Sequence, residues 1–168
     1  MSSSLQLPNT KYLLNILLLV TMSLFLAACD KSSQDTEKAK PIPTLSDANI
    51  KQFKVNFYND YAKTQKALLD KFYSHQKAGD SYGFTQFRNV VWTPKFIEKK
   101  DAYQAILDKN RKYIDTTSIK PMFLRYENLI YIGINLKNGL LDGDQELLKT
   151  TLAEAAADKK IIKAIASK

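Results

Sequence analysis

The sequence predicts an all-α fold, a small bundle of about four helices behind a disordered tether. Three observations carry this reading. Apolar residues recur at helical spacing between Ser46 and Gly79, they do so again from Thr93 to Ile114, and a capped amphipathic stretch closes the chain after Asp144. The 168-residue chain then divides into residues 1–28, a tether over 29–44, and one helical domain over 45–168. The last part is long enough to build a single core.

Residues 1–28 hold one basic residue, Lys11, and no acidic residue. Leu13–Ala28 reads LLNILLLVTMSLFLAA, apolar apart from Asn15, Thr21 and Ser23. A basic start, an apolar core and small residues at the end are the order of a secretory signal. Tyr12–Ala28 covers 17 residues, the short end of the roughly 17–25 that span a bilayer, and polar residues interrupt it. The run closes on Leu26-Ala27-Ala28-Cys29, and Cys29 is the only cysteine. This motif resembles the lipobox of bacterial lipoproteins. The resemblance implies that the signal peptide is removed and that Cys29 begins the mature chain. It also implies that Cys29 carries a diacylglycerol and further acyl chains such as palmitate. The protein would then be anchored in the membrane of the cell envelope, facing the periplasm. Asp30 resembles an inner-membrane retention signal, which favours the inner membrane over the outer. The resemblance covers residues 1–30 and extends to no family for the mature domain.

With its thiol consumed by lipid, the chain has none left for a disulfide or a metal, and the domain must hold together by packing alone. One acyl chain binds membranes only marginally, whereas two or more hold firmly. Asp30–Thr44 reads DKSSQDTEKAKPIPT, with Ile42 as its one large apolar residue. Such a segment cannot bury enough surface to offset its ordering entropy, and disorder is predicted through Thr44. The prolines flanking Ile42 favour an extended end.

The first helix is predicted from a cap at Ser46 or Asp47 to a stop at Gly79. Its apolar face runs through Ile50, Phe53, Phe57, Tyr61, Leu68 and Phe72, widened by Tyr58, Leu69 and Tyr73. That length exceeds an ordinary globular helix, so a bend or break near Lys63-Thr64 is allowed for. In Asp80–Trp92, residues Tyr82, Phe84, Phe87, Val90, Val91 and Trp92 fit a short helix that Gly83 weakens. Thr93-Pro94 reads as the start of the next helix, a capping residue followed by proline. Phe96, Tyr103, Ile106, Leu107, Asn110, Tyr113 and Ile114 follow at helical spacing, and Thr116–Lys120 connects to Pro121.

Met122–Leu141 has two readings. Met122, Tyr126, Leu129, Gly133, Leu136 and Leu140 form one helical stripe, whereas Ile130, Ile132, Ile134 and Leu136 alternate as a strand would ahead of Asn138-Gly139. The helix is favoured because Leu140-Leu141 leaves too little chain for a return strand. Asp142 or Asp144 caps the last helix, whose buried face is drawn through Leu147, Leu148, Leu152, Ala155, Ala156, Ile161, Ile162 and Ile165.

Residues able to carry chemistry are few. The single histidine, His75, rules out a two-histidine metal site or mechanism within one chain. It reads as a solvated side chain near a helix C-terminus, where its cationic form is favoured. Asp142, Asp144 and Glu146 start like a calcium loop, but Leu147 stands where glycine is needed and Ala153 where glutamate is needed. No glycine-rich phosphate loop occurs among five glycines. Glu127, inside an apolar segment, is either a functional carboxylate or the partner of Arg125, Lys120 or a lysine on another helix. No catalytic residue, metal site or cofactor is assigned, apart from the covalent lipid on Cys29.

Taking Lys11 from the 25 basic residues, against 17 acidic ones, leaves a mature charge of +7. The lysines are spread, as on solvated helix faces. An exported protein is not expected to meet nucleic acid, while anionic lipid head groups attract about 1 kcal/mol per basic residue. Aromatics are abundant: of nine tyrosines and eight phenylalanines, all but Tyr12 and Phe25 follow Thr44, together with Trp92. Most should be core. Tyr58, Tyr82, Trp92 and Tyr131 are the candidates for a partner-binding face.

These features favour a non-enzymatic interaction module of scaffold, inhibitor or immunity type that binds an envelope protein. The alternative is a small-molecule or lipid carrier with an apolar pocket lined by Phe53, Phe57, Tyr61 and Tyr126. A weaker third reading is an enzyme using Glu127 and His75. The anchoring step has a direct test. Mass spectrometry of the N-terminal peptide from membrane-extracted protein should find Cys29 acylated and first in the chain. An unmodified Cys29, or residues 1–28 still attached, would refute it.

Overall fold

The computed structural model describes residues 41–168. The signal, the lipobox with Cys29, Asp30 and the tether up to residue 40 lie outside the described residues. Helix α1 spans Ile50–Ala78, α2 Ser81–Gln86, α3 Thr93–Lys109, α4 Arg111–Asp115, α5 Lys120–Asp142 and α6 Gln145–Ala166, and a π-helical segment covers Phe87–Trp92. Since α2, the π segment and α3 form one rod, four long helical segments make the expected all-α bundle. The described residues contain no strand, which settles Met122–Leu141 as helix. No helix among them is long and apolar enough to cross a membrane.

α1 is continuous over 29 residues, about 43 Å at 1.5 Å per residue, with no break at Lys63-Thr64. That point is held from two sides: the Trp92 indole N–H donates to the Thr64 carbonyl at 3.0 Å, and the Thr64 and Tyr126 hydroxyls share a bond of 3.2 Å. Phe57, Tyr61, Leu68 and Phe72 are fully buried, whereas Tyr73 turns outward. The helix ends as expected at Gly79, whose φ of 66° suits glycine. Its start differs. Neither Ser46 nor Asp47 caps it. The Ser46 carbonyl accepts from the Ile50 N–H, and Asp47 instead accepts the Tyr113 hydroxyl at 2.7 Å.

The rod after Gly79 corrects one expectation, the capping of a helix by Thr93. Asp80 caps α2 by accepting the Gly83 N–H at 2.8 Å. Gly83 is there because a Cβ would lie 2.0 Å from the Asp80 carboxylate and 2.8 Å from the His75 ring. α3 starts at Thr93 with Pro94 in its first turn, as expected, but Thr93 does not cap it, because the π segment runs straight into it. Trp92 and Thr93 are already α-helical, and the Thr93 N–H reaches back five residues to the Arg88 carbonyl. Pro94 lacks an N–H and would crowd the carbonyl four residues earlier in a regular helix. A π segment directly before Pro94 supplies wider turns there. The Thr93 hydroxyl, relieved of capping, is buried without a partner.

Pro121 stands in the first turn of α5, and the stripe Met122, Tyr126, Leu129, Gly133 and Leu136 is buried as expected. Two glycines on α5 permit close approach. At Gly133 a Cβ would sit 3.3 Å from the Trp92 ring, and at Gly139 it would sit 2.6 Å from Leu148 of α6. Gly143, with φ of 69°, turns the chain into α6, where Asp144 rather than Asp142 caps by accepting the Leu147 N–H at 2.9 Å. On α6, Leu148, Ala155 and Ile162 are buried, but Ala156 and Ile161 are not. Thr151 and Asp158 complete the inner stripe instead.

The domain also begins before Leu45. Leu45 is buried, its N–H donates to Asn110 Oδ1 at 2.7 Å, and Asn110 Nδ2 donates to the Pro43 carbonyl at 3.0 Å and to that of Ile106 at 2.8 Å. The Ile42 carbonyl accepts the Lys109 ammonium. Residues 42–44 are thus pinned to the bundle rather than disordered. Asn110 ends α3 and fastens the N-terminal strap with one side chain. Asn110→Ala should therefore cost about 2 kcal/mol, since it leaves a buried N–H unpaired. Thermal unfolding reads the cost, and hydrogen exchange at the Leu45 amide should become fast in the variant.

Candidate interaction surface

The four aromatic candidates do not form one face. Trp92 is inside, 4% exposed, with its ring stacked on Phe96 at 5.0 Å. It is excluded as a contact residue because the π segment turns it under α1 and against Gly133. Tyr58 is half-buried against the core. Tyr82 and Tyr131 are exposed, 71% and 59%, but stand on α2 and α5. The residues proposed to line a carrier pocket are core. Phe57, Tyr61 and Tyr126 are fully buried, and Phe53 stacks on Phe123 at 6.0 Å. Tyr126 borders only a cleft of about 40 Å³ at the α3–α5 seam, too small for a ligand of drug size.

Glu127 is exposed on the rim of that cleft rather than buried in an apolar segment. The buried carboxylate is Asp158, 1% exposed. It accepts Arg125 Nη1 at 3.1 Å and Asn128 Nδ2 at 2.8 Å, so a charge-assisted contact ties α5 to α6. Gln65 plays the matching part for α1, its Nε2 donating to the Ala155 carbonyl at 2.7 Å and to the Tyr61 hydroxyl at 3.2 Å. Of the four buried polar residues, Gln65, Asn110, Thr151 and Asp158, the sequence reading placed only Asn110 on a helical stripe. A signal existed for two of them: Gln65 lies between Tyr61 and Leu68, and Asp158 between Ala155 and Ile162, each on the apolar stripe.

His75 lies 24% exposed beside Asp80, with Nδ1 3.0 Å from Oδ2. The Gly83 N–H and then the imidazole hold the Asp80 carboxyl below the usual carboxylate range. This pair closes a turn. No group of three or more potential metal-ligating side chains gathers among the described residues.

What the fold does leave open is the outer side of the π segment. Val90 and Val91 are 68% and 43% exposed. With Phe87 and Gln86 they line an open groove of about 400 Å³ against Lys71 and His75 of α1. The Lys71 ammonium sits 5.9 Å over the Phe87 ring. The wide π turns carry these valines outward while Trp92 goes in. An exposed apolar pair with a half-buried aromatic and a basic rim has the composition of a contact surface. No protein-family model, no curated protein and no solved structure matches the chain.

Three phenols belong to the core. Burial, reinforced by Asp158, pushes the Tyr61 hydroxyl up. Burial and then Asp60, which accepts the Tyr103 hydroxyl at 2.9 Å, do so for Tyr103. Burial raises Tyr126 to about 12. Each fold thus favours the neutral phenol over its form in the unfolded chain. The resulting stability is fully present below the ordinary value of 10.0 and is lost as pH rises through the folded values. Alkaline titration should show Tyr61, Tyr103 and Tyr126 ionising only as helical circular dichroism disappears. Tyrosinate absorbance from these three with the helices intact would contradict their burial.

Proposed function

We propose that the chain is a lipid-anchored envelope lipoprotein whose helical domain works as a non-enzymatic protein-interaction module, of scaffold, inhibitor or immunity type. The signal-like segment and Leu26-Ala27-Ala28-Cys29 support the anchor. The periplasmic side of the inner membrane follows from the same motif and Asp30. The observation that carries the interaction reading is the pair Val90 and Val91, adjacent and exposed beside Phe87 on the π segment. Two neighbouring valines in water gain nothing for the fold, whereas a partner that covered them would recover about 25 cal/mol per Å² of apolar area.

In-cell photo-crosslinking from a probe at Gln86, which lines the same groove, tests this. A single protein adduct at stoichiometric yield is expected. The double substitution Val90→Asp and Val91→Asp should abolish it while leaving circular dichroism and thermal unfolding within about 0.5 kcal/mol of the parent. Crosslinks to lipid alone, or an adduct unchanged by the double substitution, would overturn the reading.

A further inference from the structure

The domain carries its net charge at one end. Across residues 41–168, 21 Lys and Arg residues stand against 14 Asp and Glu residues. The helix directions place them. Tyr113 of α4 reaches Asp47 before α1, Phe53 of α1 stacks on Phe123 early in α5, and Arg125 of α5 pairs with Asp158 late in α6. One end of the bundle therefore joins the start of α1, the end of α3, α4, the start of α5 and the end of α6. Divided at the helix midpoints, this end comprises residues 41–63, 102–130 and 156–168, with 12 basic and 6 acidic side chains. The opposite end has 9 and 8, so nearly all the excess lies on one side.

Two segments concentrate it. Lys109, Arg111 and Lys112 are exposed where α3 passes into α4. From Lys159 onward the chain holds Lys159, Lys160, Lys163 and Lys168, all exposed, and no acidic side chain. Ile161 is exposed among them. The strap gives this end a direction. The Ile42 and Pro43 carbonyls are held by Lys109 and Asn110, so the chain leading back to Cys29 leaves the domain beside the first basic segment. Salt screens a charged surface within about 8 Å at physiological ionic strength, whereas α1 alone is about 43 Å long. A membrane therefore senses the end that faces it, not the charge of the whole domain.

We propose that this end rests on an anionic bilayer surface, with Lys109–Lys112 and Lys159–Lys168 over the lipid head groups. The proposal rests on the lipid-anchored reading of Cys29 and adds an orientation to it. The valine groove, at the opposite end, then faces away from the membrane, where a partner reaches it without meeting lipid.

The lipidated protein, reconstituted in vesicles and labelled on a single introduced cysteine, tests this. Ser118→Cys marks the basic end and Tyr82→Cys the other, both at exposed positions. With about one-third phosphatidylglycerol in phosphatidylcholine, a head-group nitroxide should quench the Ser118 label at least about threefold more than the Tyr82 label. That ratio should fall by at least about half in pure phosphatidylcholine, and again at about 0.5 M salt. Lys112→Gln, Lys160→Gln and Lys163→Gln together should lower it similarly, with circular dichroism unchanged. Lys77→Gln, Lys95→Gln and Lys149→Gln together remove the same charge from the opposite end and should leave the ratio intact. A ratio unchanged in pure phosphatidylcholine, or equal effects of the two triple variants, would overturn the proposal. Flotation separates its failure from that of the anchor. Protein that floats with both vesicles but shows equal quenching at the two labels overturns this proposal alone. Protein that floats with neither overturns the anchor and the proposal together.

Discussion

The Phe57 side chain is the contact on which the bundle depends. It is fully buried on α1, and its ring lies 4.3 Å from Tyr103, 5.2 Å from Phe123, 5.4 Å from Tyr126 and 5.9 Å from Phe53. Those partners come from α1, α3 and α5, so one ring gathers three helices. Edge-to-face pairs contribute about 0.5–1.5 kcal/mol each beyond their buried area, and they are directional. They set the rotation of α3 and α5 about their axes as well as their distance. α6 is positioned by a different device, the polar contacts of Gln65 and Asp158 inside its apolar seam. In a domain whose described residues contain no cysteine, aromatic geometry and a few buried hydrogen bonds supply the definition that cross-links supply elsewhere.

The helices were legible because their ends are written in residues with one strong meaning. Gly79 and Gly143 supply left-handed turns, Asp144 caps and Pro121 opens a first turn. Between them the spacing of large apolar residues identifies the inner faces. Two kinds of feature escaped that reading. Gln65, Thr151 and Asp158 look like solvent residues by type, and only their place on an apolar stripe, or a partner distant in sequence, reveals their burial. The π segment escaped because periodicity assumes regular turns. Inside Phe87–Trp92 that assumption fails: regular spacing groups Val90, Val91 and Trp92 on one short helix, yet Trp92 goes in and the two valines go out. The candidate surface was invisible for the same reason that the fold was readable.

The basic character of the chain also divides on inspection. Spread lysines are the ordinary dressing of helices, and among the described residues only Lys66, Lys99, Lys100, Lys120 and Lys149 have a carboxylate partner. Charge composition alone could not distinguish these cases, since Lys63 and Lys66 are three residues apart and face different surroundings.

The wide turns at Phe87–Trp92 also bear on how this chain can change in length. A regular helix advances each residue by about 100°, so losing a residue there would rotate α3 relative to α2 by about that angle. Lys99 would swing away from Asp60 and Phe96 out of its stack with Trp92, although every other residue kept its identity. Substitution could alter the valine groove or the α1–α3 packing singly, but an insertion or deletion in this stretch would alter both together. The segment therefore acts as a phase-setting joint, and its residue count is under tighter constraint than its composition.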